Sequence, residues 1–272
     1  MKKVFSIALP LILSACFAHA KKIGGWIKDA KTGETLPYVN IGIVNRAIGT
    51  VSDVAGSYVI TLTSDPSDSL KFSMIGYKTQ AFTVKELANR QGDLNISLVA
   101  DVKQLAEARV TNRKWKTAVL GNTTKSQSTS AGFHDNKLGH EIGIIIKTKR
   151  SPTWITHFNA SIVKNDLDSV KMRLNVYSIK DGMPDKNLLH DNIFVTVKKG
   201  QKAIDVDLTP YNIMVEDKFF IGLEWIKTEP GHGLMFSAAF FFASPIISRE
   251  TSQAAWEKLG IAGVGFNVKA EY

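Results

Sequence analysis

The chain has 272 residues, of which 44% are hydrophobic and 22% are charged. These proportions suit one large or two small globular domains with a buried core, and they exclude a disordered or collagen-like chain. The formal net charge is +9 at pH 7. Because the basic residues are scattered along the chain, we favour solvated lysines on strand faces as the explanation of this excess; binding to anionic glycans or lipopolysaccharide is the alternative.

The first twenty residues are ordered as in a signal peptide. Two lysines precede a short apolar run that ends at Leu13, and a small-residue triplet ends at Ala20. This order predicts cleavage between Ala20 and Lys21 and export to the periplasm or the outer membrane. The apolar run is shorter than the roughly 20 residues that cross a bilayer, so we expect no transmembrane span in the mature chain. Export also argues against nucleic acid as a partner.

A second interpretation of the same segment is lipidation. The tetrapeptide LSAC that ends at Cys16 has the order of a lipobox, which would make the protein a lipoprotein anchored at Cys16. A strand-like segment begins near Ile23 and leaves a very short tether, so we favour cleavage after Ala20. Cys16 is the only cysteine, and a mature chain without it has neither a disulfide nor a thiol nucleophile.

Residues 21–100 alternate between short strand-like segments and turn signals about every eight to twelve residues, which is typical of a small β-sandwich. Gly33 and Gly56 suit turn positions where the backbone needs a positive φ. The predicted strands are 22–27, 39–44, 50–51, 57–62, 70–75, 78–84 and 93–98.

Residues 101–133 change in character. A helix-tolerant stretch covers 103–108, and a polar run rich in Asn, Thr and Ser covers 122–128. We interpret this part of the chain as a linker that ends in a loosely packed loop.

Residues 134–272 return to the spacing of strands. Met172 and Leu174 alternate with Arg173, Asn175 and Tyr177, which predicts one core-facing side and one wetter side. No regular alternation of strands and helices occurs, which argues against a parallel α/β fold. The fold predicted for this region is a second β-sandwich of jelly-roll type, so the fold class is all-β. The predicted strands are 140–148, 153–163, 169–179, 193–197, 203–208, 218–226, 234–242 and 263–270.

Residues 23–99 resemble the carboxypeptidase-regulatory-like domain. The segments that carry the resemblance are GWIKDAKTGETLPYVNIGI, IGTVSDVAGSYVITL and LKFSMIGYKTQAFTV. The resemblance implies a prealbumin-like (transthyretin-like) sandwich and an exported bacterial protein. Such domains lie beside the catalytic part of some carboxypeptidases without being catalytic, and they also precede outer-membrane transporter barrels. The resemblance therefore implies a fold and a compartment, and no activity.

No catalytic motif is evident in the sequence. His140 and Glu141 are adjacent but lack the second histidine of a helical zinc motif, and a Gly-x-Ser-x-Gly elbow and a glycine-rich phosphate loop are absent. We therefore expect a protein that is not an enzyme and that uses no cofactor and no metal. The alternative is a hydrolase with an unrecognised site in the second region, since any two of the 25 acidic residues could face each other.

Aromatic residues of the second region are the candidates for ligand binding. Trp154 and Trp256 lie beside turn signals, where an exposed ring can stack on a sugar, and Arg249 could bind hydroxyl groups. Trp225 follows an apolar strand and is expected to fill the core. These residues predict a binding or scaffold protein of the bacterial envelope that contacts a glycan or another envelope protein, such as an outer-membrane protein.

Overall fold

The protein is described by a computed structural model, which shows it to be almost entirely β-structure arranged as two sandwiches. The described residues are 21–63, 65–101, 115–227, 231, 233–240 and 244–272. The predicted signal peptide, with Cys16 and Ala20, and the helix-tolerant stretch 103–108 lie outside these ranges. No helix in the described part of the chain has the length and apolarity that a membrane crossing needs.

Seven strands of the described chain form the first sandwich. They make a three-stranded sheet in the order β4-β1-β7 and a four-stranded sheet in the order β3-β2-β5-β6. Alternating apolar residues such as Ile27, Ile41 and Phe72 are buried between the two sheets. The prediction of a small all-β sandwich is therefore confirmed. The strands are β1 (Lys22–Asp29), β2 (Asn40–Ile43), β3 (Gly49–Val51), β4 (Ser57–Thr61), β5 (Ser69–Ser73), β6 (Gln80–Thr83) and β7 (Ile96–Leu98).

One short helix, α1 (Val84–Ala88), interrupts the strands of the first sandwich. Thr83 begins it through a capping box, in which the Thr83 hydroxyl accepts from the Glu86 N–H at 3.2 Å and the Glu86 carboxylate accepts from the Thr83 N–H at 2.7 Å. This pattern satisfies two backbone donors that the first turn of a helix leaves open. The ammonium group of Lys21 donates to the carbonyl of Ala88 at the other end. The strand predicted over 78–84 therefore ends where the helix starts.

The second sandwich also has two sheets. The first, which we call the interface sheet, has the order β13-β12-β17-β10-β19-β20, and β14 also pairs with β12. The second, which we call the outer sheet, has the order β21-β18-β11-β22-β8. In the outer sheet β15 and β16 also pair with β11, and β9 pairs with β18. The strands are β8 (Thr117–Gly121), β9 (Ser130–Phe133), β10 (Glu141–Ile146), β11 (Thr153–Asn165), β12 (Ser169–Lys180), β13 (Met183–Asn187), β14 (Ile193–Lys198), β15 (Ala203–Asp207), β16 (Ile213–Val215), β17 (Phe219–Trp225), β18 (Leu234–Phe240), β19 (Ile246–Arg249), β20 (Glu257–Leu259), β21 (Ala262–Val264) and β22 (Phe266–Glu271). A 3-10 turn, Thr209–Tyr211, connects β15 to β16.

The connections of the second sandwich are those of a jelly roll, as predicted. Four neighbouring strands, β10-β17-β12-β14, lie in the interface sheet, and four others, β8-β22-β11-β15, lie in the outer sheet. Strands next to each other in the chain mostly change sheet, so each sheet is built from early and late strands in alternation. Strands β18 to β21 come between the last two strands of this pattern.

Residues 115–133, which the sequence placed in the linker, belong to the second sandwich. Strand β8 pairs with β22, and β9 pairs with β18. Each of these strands buries a single residue, Leu120 in β8 and Phe133 in β9. Because one buried residue cannot produce a visible alternation, the pattern resembles a polar loop. The second sandwich therefore starts before residue 134.

The side of β12 that was predicted to be wetter is buried. Arg173, Asn175 and Tyr177 are all less than a tenth exposed. They point away from the core of the second sandwich: Arg173 contacts Tyr38 and Asn40 of the first sandwich, whereas Tyr177 packs against Trp256. The alternation was interpreted correctly as two sides, but the polar side faces another domain instead of water.

The core of the second sandwich contains Trp225, as the sequence predicted. Its side chain is 0% exposed and its ring meets Phe133 edge-on, with centroids 5.5 Å apart.

We expect Trp225→Ala to lower the free energy of unfolding by about 3–5 kcal/mol, since the substitution leaves a large cavity. Urea unfolding of the chain from residue 21 measures this loss. The matched control is Trp26→Ala, which removes a 46% exposed ring from the first sandwich and should change stability little; equal effects would contradict the assignment of Trp225 to the core.

Candidate functional site

The four-stranded sheet of the first sandwich packs against the interface sheet of the second. The Asn45 N–H donates to the Gln253 carbonyl at 2.9 Å, and the Gln253 amide donates to the Ser73 hydroxyl at 2.8 Å. A side chain at Gly42 would overlap with the Ser252 carbonyl, so the two backbones approach as closely as glycine allows. This contact places the polar side of β12 between two sheets.

Four charged side chains form a row across the interface sheet. Arg173, Glu224, Glu141 and Arg249 lie on the adjacent strands β12, β17, β10 and β19, and each is directly opposite the next in the strand register. All four are buried. Residues opposite each other on one sheet face are close enough to interact directly. The row therefore places two carboxylates between two guanidinium groups, and we call it the charged row.

Arg173 connects the charged row to the first sandwich. Its Nε donates to Glu224 at 2.9 Å, and Nη1 donates to the Tyr38 carbonyl at 2.9 Å. Nη2 donates to the side-chain oxygen of Asn40, and Nη1 also donates to the Asn192 side chain at 3.2 Å. One side chain thus ties strands of both sandwiches together through charge-assisted hydrogen bonds.

Arg249 is held in place from several directions. Its Nη2 is 2.7 Å from Glu141 Oε2 and 3.8 Å from Glu224 Oε1, and it donates to the Tyr177 hydroxyl at 3.2 Å. The guanidinium carbon lies 4.8 Å from the centroid of the Trp256 ring, which is within the range of a cation–π interaction. The Nε of Arg249 is buried without a hydrogen-bond partner among the described residues.

Asn175 bridges the two carboxylates of the charged row. Its Nδ2 donates to Glu141 at 3.0 Å and to Glu224 at 3.0 Å, while its own oxygen accepts from Asn187 at 3.2 Å. An amide NH₂ group supplies two donors at fixed positions. It therefore offsets part of the repulsion between two buried acids.

The two carboxylates have pKa values that move in opposite directions. Burial and the charge of Glu224 raise the pKa of Glu141 to about 7, against the opposing effect of Arg249. Burial also acts to raise the pKa of Glu224, but the charges of Arg173 and Arg249 and the hydrogen bonds from Arg173 and Asn175 lower it below its usual range. Two interacting acids in one buried site commonly separate in this way.

A cleft of about 690 Å³ lies between the two sandwiches, next to the charged row. Its size is within the range of small-molecule sites. Trp256 and Tyr177 form an aromatic part of its wall and meet edge-on with centroids 5.7 Å apart. Polar residues from both sandwiches form much of the rest, and they include Asn40, Asn45, Lys71, Ser73, Arg173, Asn175, Asn187, Arg249 and Gln253.

Two of the three ligand-binding residues predicted from the sequence meet in this cleft. Trp256 and Arg249 are in direct contact and both line it. Trp154 lies elsewhere, on β11 of the outer sheet, opposite Met214 and Glu271. The structure therefore brings together Trp256 and Arg249 and separates Trp154 from them. The predicted new N-terminus, Lys21, lies at the first sandwich and contacts the end of α1.

His140, which is next to Glu141 in the sequence, does not lie in a group of metal ligands. The Nδ1 of His140 lies 3.3 Å from Asp135, and its ring packs edge-on against Phe133. Within the described ranges, no group of three or more His, Cys, Asp or Glu side chains is placed to hold a metal ion. Glu141, the neighbour of His140, points into the charged row instead.

Sequence reasoning did not find the charged row. Glu224 and Glu141 are the single charges of the otherwise apolar strands β17 and β10, and an isolated charge in such a strand is a signal for a buried pair. The partner of each charge depends on strand register between distant parts of the chain. That register cannot be inferred from spacing along one sequence.

The sequence profile of the CarboxypepD_reg-like domain matches residues 23–110, and the first sandwich of the chain belongs to that domain family. TonB-dependent receptor P3 of Formosa agariphila is 31% identical over 132 residues, which are 48% of this chain and 12% of that receptor. The matched segment thus spans only a small part of that receptor. A crystal structure of the infectious bursal disease virus VP2 subviral particle matches 90% of this chain and 61% of that chain at 9% identity, with a TM-score of 0.29, too low to support an argument about the fold.

We expect Arg173→Met to destabilise the protein strongly. The substitution leaves Glu224 buried without its nearest cation and removes the bonds to Tyr38 and Asn40, for which a loss of about 3–5 kcal/mol is typical. Urea unfolding measures it, with Arg46→Met as the control because the Arg46 side chain, which pairs with Asp65 and Asp68, is itself 51% exposed to water. A second substitution, Glu224→Gln, should restore part of the loss; a small loss for Arg173→Met would contradict the importance of the row.

The raised pKa of Glu141 predicts a pH dependence of stability. The folded protein keeps the Glu141 proton up to about pH 7, whereas the unfolded chain releases it near the ordinary value of 4.5. Between these values the unfolded chain binds fewer protons, so the stability contributed by Glu141 falls as pH rises through this window. The free energy of unfolding of the wild type, relative to Glu141→Gln, should therefore decrease from about pH 4.5 to about pH 7. A difference between the wild type and Glu141→Gln that stays flat across this window would refute the prediction.

Proposed function

We propose that the protein is a non-catalytic binding protein of the bacterial envelope and that it holds a glycan in the cleft between its two sandwiches. The cleft itself supports the proposal best. It is concave, and its wall combines an aromatic surface at Trp256 and Tyr177 with amide, hydroxyl and cationic groups. Sugars have apolar ring faces and many hydroxyl groups, so a wall of this composition suits them.

The rigid setting of the cleft also supports a binding role. Arg249 is fixed by Glu141, Tyr177 and Trp256, and Asn175 is fixed by both carboxylates of the charged row. Side chains that are already ordered lose little conformational entropy when a ligand binds. The charged row thus acts as a support that orients the groups at the cleft wall.

The envelope as location is supported by three separate observations. The first twenty residues have the order of a signal peptide. The first sandwich belongs to the CarboxypepD_reg-like domain family, whose resemblance implies an exported bacterial protein. The relative with 31% identity is named a TonB-dependent receptor. All three observations are consistent with an envelope protein. We propose that it contacts such a receptor and that the cleft is its glycan site.

The charged row favours a second candidate function, that of a hydrolase. Glu141 and Glu224 form a pair of acids whose pKa values lie apart, as in enzymes that use one carboxylic acid and one carboxylate. Both side chains are 0% exposed, however, and neither is part of the cleft wall. Because a catalytic acid must reach the bond that it protonates, binding is the better interpretation.

A glycan array probed with the chain from residue 21 onwards tests the proposed function. We expect retention of a subset of glycans, and we expect Trp256→Ala to weaken that binding about tenfold or more, since aromatic anchors dominate small binding sites. Trp154→Ala is the matched control, because Trp154 lies on the outer sheet and should leave binding unchanged.

Three results would contradict the proposal. The first is the absence of any retained glycan, and the second is an equal loss of binding with Trp256→Ala and Trp154→Ala. The third is release of new reducing ends from a bound glycan, measured by chromatography. If that release disappeared in Glu141→Gln, the hydrolase would replace the binding protein as the favoured function.

A further inference from the structure

Lys71 is the one cation of the cleft wall that is partly buried and has no ionic partner in the described chain. It lies on β5, on the side of the four-stranded sheet that faces the second sandwich, opposite Gly42. Its ammonium group makes no hydrogen bond or ion pair with any described residue. Burial, and then the charge of Arg249, lower the pKa of Lys71. Lys71 and Arg249 thus line the same cleft, and of the two only Arg249 has a carboxylate partner.

The two carboxylates of the charged row are already paired with arginines. Glu141 pairs with Arg249, and Glu224 pairs with Arg173, both behind the cleft wall. The acids of the wall itself are Asp101 and Asp185, and its lysines are Lys71, Lys78 and Lys186. Once the paired arginines are set aside, the wall has more positive than negative groups. A partly buried cation without a counter-ion has lost some of its hydration, so an anion that supplies the opposite charge is favoured there.

We propose that the glycan bound in the cleft is acidic, and that its anionic group binds at Lys71 beside Arg249 while a sugar ring packs against Trp256. This inference rests on the proposed function, because it names the class of glycan for the same cleft. The anionic group offsets the repulsion between Lys71 and Arg249. It also accepts charge-assisted hydrogen bonds, which are shorter and stronger than those between neutral groups.

The cleft wall places the cations that would bind the anionic group next to the aromatic ring that would pack against the sugar. Arg249 contacts Trp256, so the cation and the aromatic ring form one continuous surface. Lys71 approaches that surface from the first sandwich. Amide and hydroxyl groups of Asn45 and Ser73 lie on the same side as Lys71 and remain for the neutral hydroxyl groups of the sugar.

The test compares pairs of oligosaccharides that differ only in charge. One pair is an oligogalacturonate and its carboxyl-reduced, neutral form, and the other is a sulfated galactan oligosaccharide and its desulfated form. Isothermal titration calorimetry with the chain from residue 21 onwards should show at least one acidic form binding about tenfold or more tightly than its neutral partner. The two pairs distinguish a carboxylate from a sulfate as the recognised group.

Variants of Lys71 connect the charge preference to this site. Lys71→Met should weaken binding of the acidic form about tenfold and leave the neutral form unchanged, while Lys71→Arg keeps the charge and should retain most of the binding. Lys28→Met, an exposed lysine of β1 away from the cleft, is the control. Equal affinity for the charged and neutral forms, or no effect of Lys71→Met on the acidic form, would overturn the inference.

Failure of this inference can be told apart from failure of the proposed function. If neutral glycans bind as tightly as acidic ones and Trp256→Ala still weakens them, the cleft is a glycan site without charge selection. If none of the four oligosaccharides and no glycan on the array binds, both the inference and the proposed function are refuted.

Discussion

The burial of Arg173 is the constraint on which the arrangement of the two sandwiches depends. A guanidinium group with no access to water must have its charge and its donors satisfied, or folding becomes strongly unfavourable. Glu224 supplies the charge from within the second sandwich, but Tyr38 and Asn40 supply acceptors only when the first sandwich is docked. The polar side of the interface sheet is therefore complete only in the assembled chain. The cleft lies beside this contact and takes its walls from both partners.

Much of the fold follows from local patterns, whereas the site does not. Alternation of apolar residues located most strands of both sandwiches, and the position of Trp225 after an apolar strand identified it as a core residue. The capping box at Thr83 and Glu86 is a local signal for α1 that a strand interpretation overlooked. Strand β8 was not predicted, because Leu120 is the single buried residue in it. Local sequence patterns do not predict a strand that buries too few apolar residues to show an alternation of apolar and polar positions.

The charged row shows a different limit. Arg173 and Asn175 have the alternation of an ordinary solvent-facing strand side, but both are buried, and Arg173 finds acceptors at Tyr38 and Asn40 in the docked first sandwich. Glu141 and Glu224 become neighbours through antiparallel register between β10 and β17. Such a contact depends on the whole topology, so a single sequence contains no spacing that reveals it. Trp256 and Arg249 could be suspected from their residue types, but their direct contact could not.

The pairing of β8 with β22 has a consequence for how the protein forms. The backbone groups of Lys116 and Tyr272 exchange two hydrogen bonds, at 2.9 and 3.0 Å, next to these strands. Strand β8, the first strand of the second sandwich, therefore has no pairing partner until the last strand, β22, has been synthesised. The first sandwich also pairs its first strand, β1, with its last, β7, but β7 ends at Leu98, before the second sandwich begins. In a chain that emerges vectorially, the first sandwich can thus be complete while the second is still an open sheet with an exposed edge, a state prone to association with other chains. The docking face that later binds Arg173 is then already present as a surface on which the interface sheet can assemble.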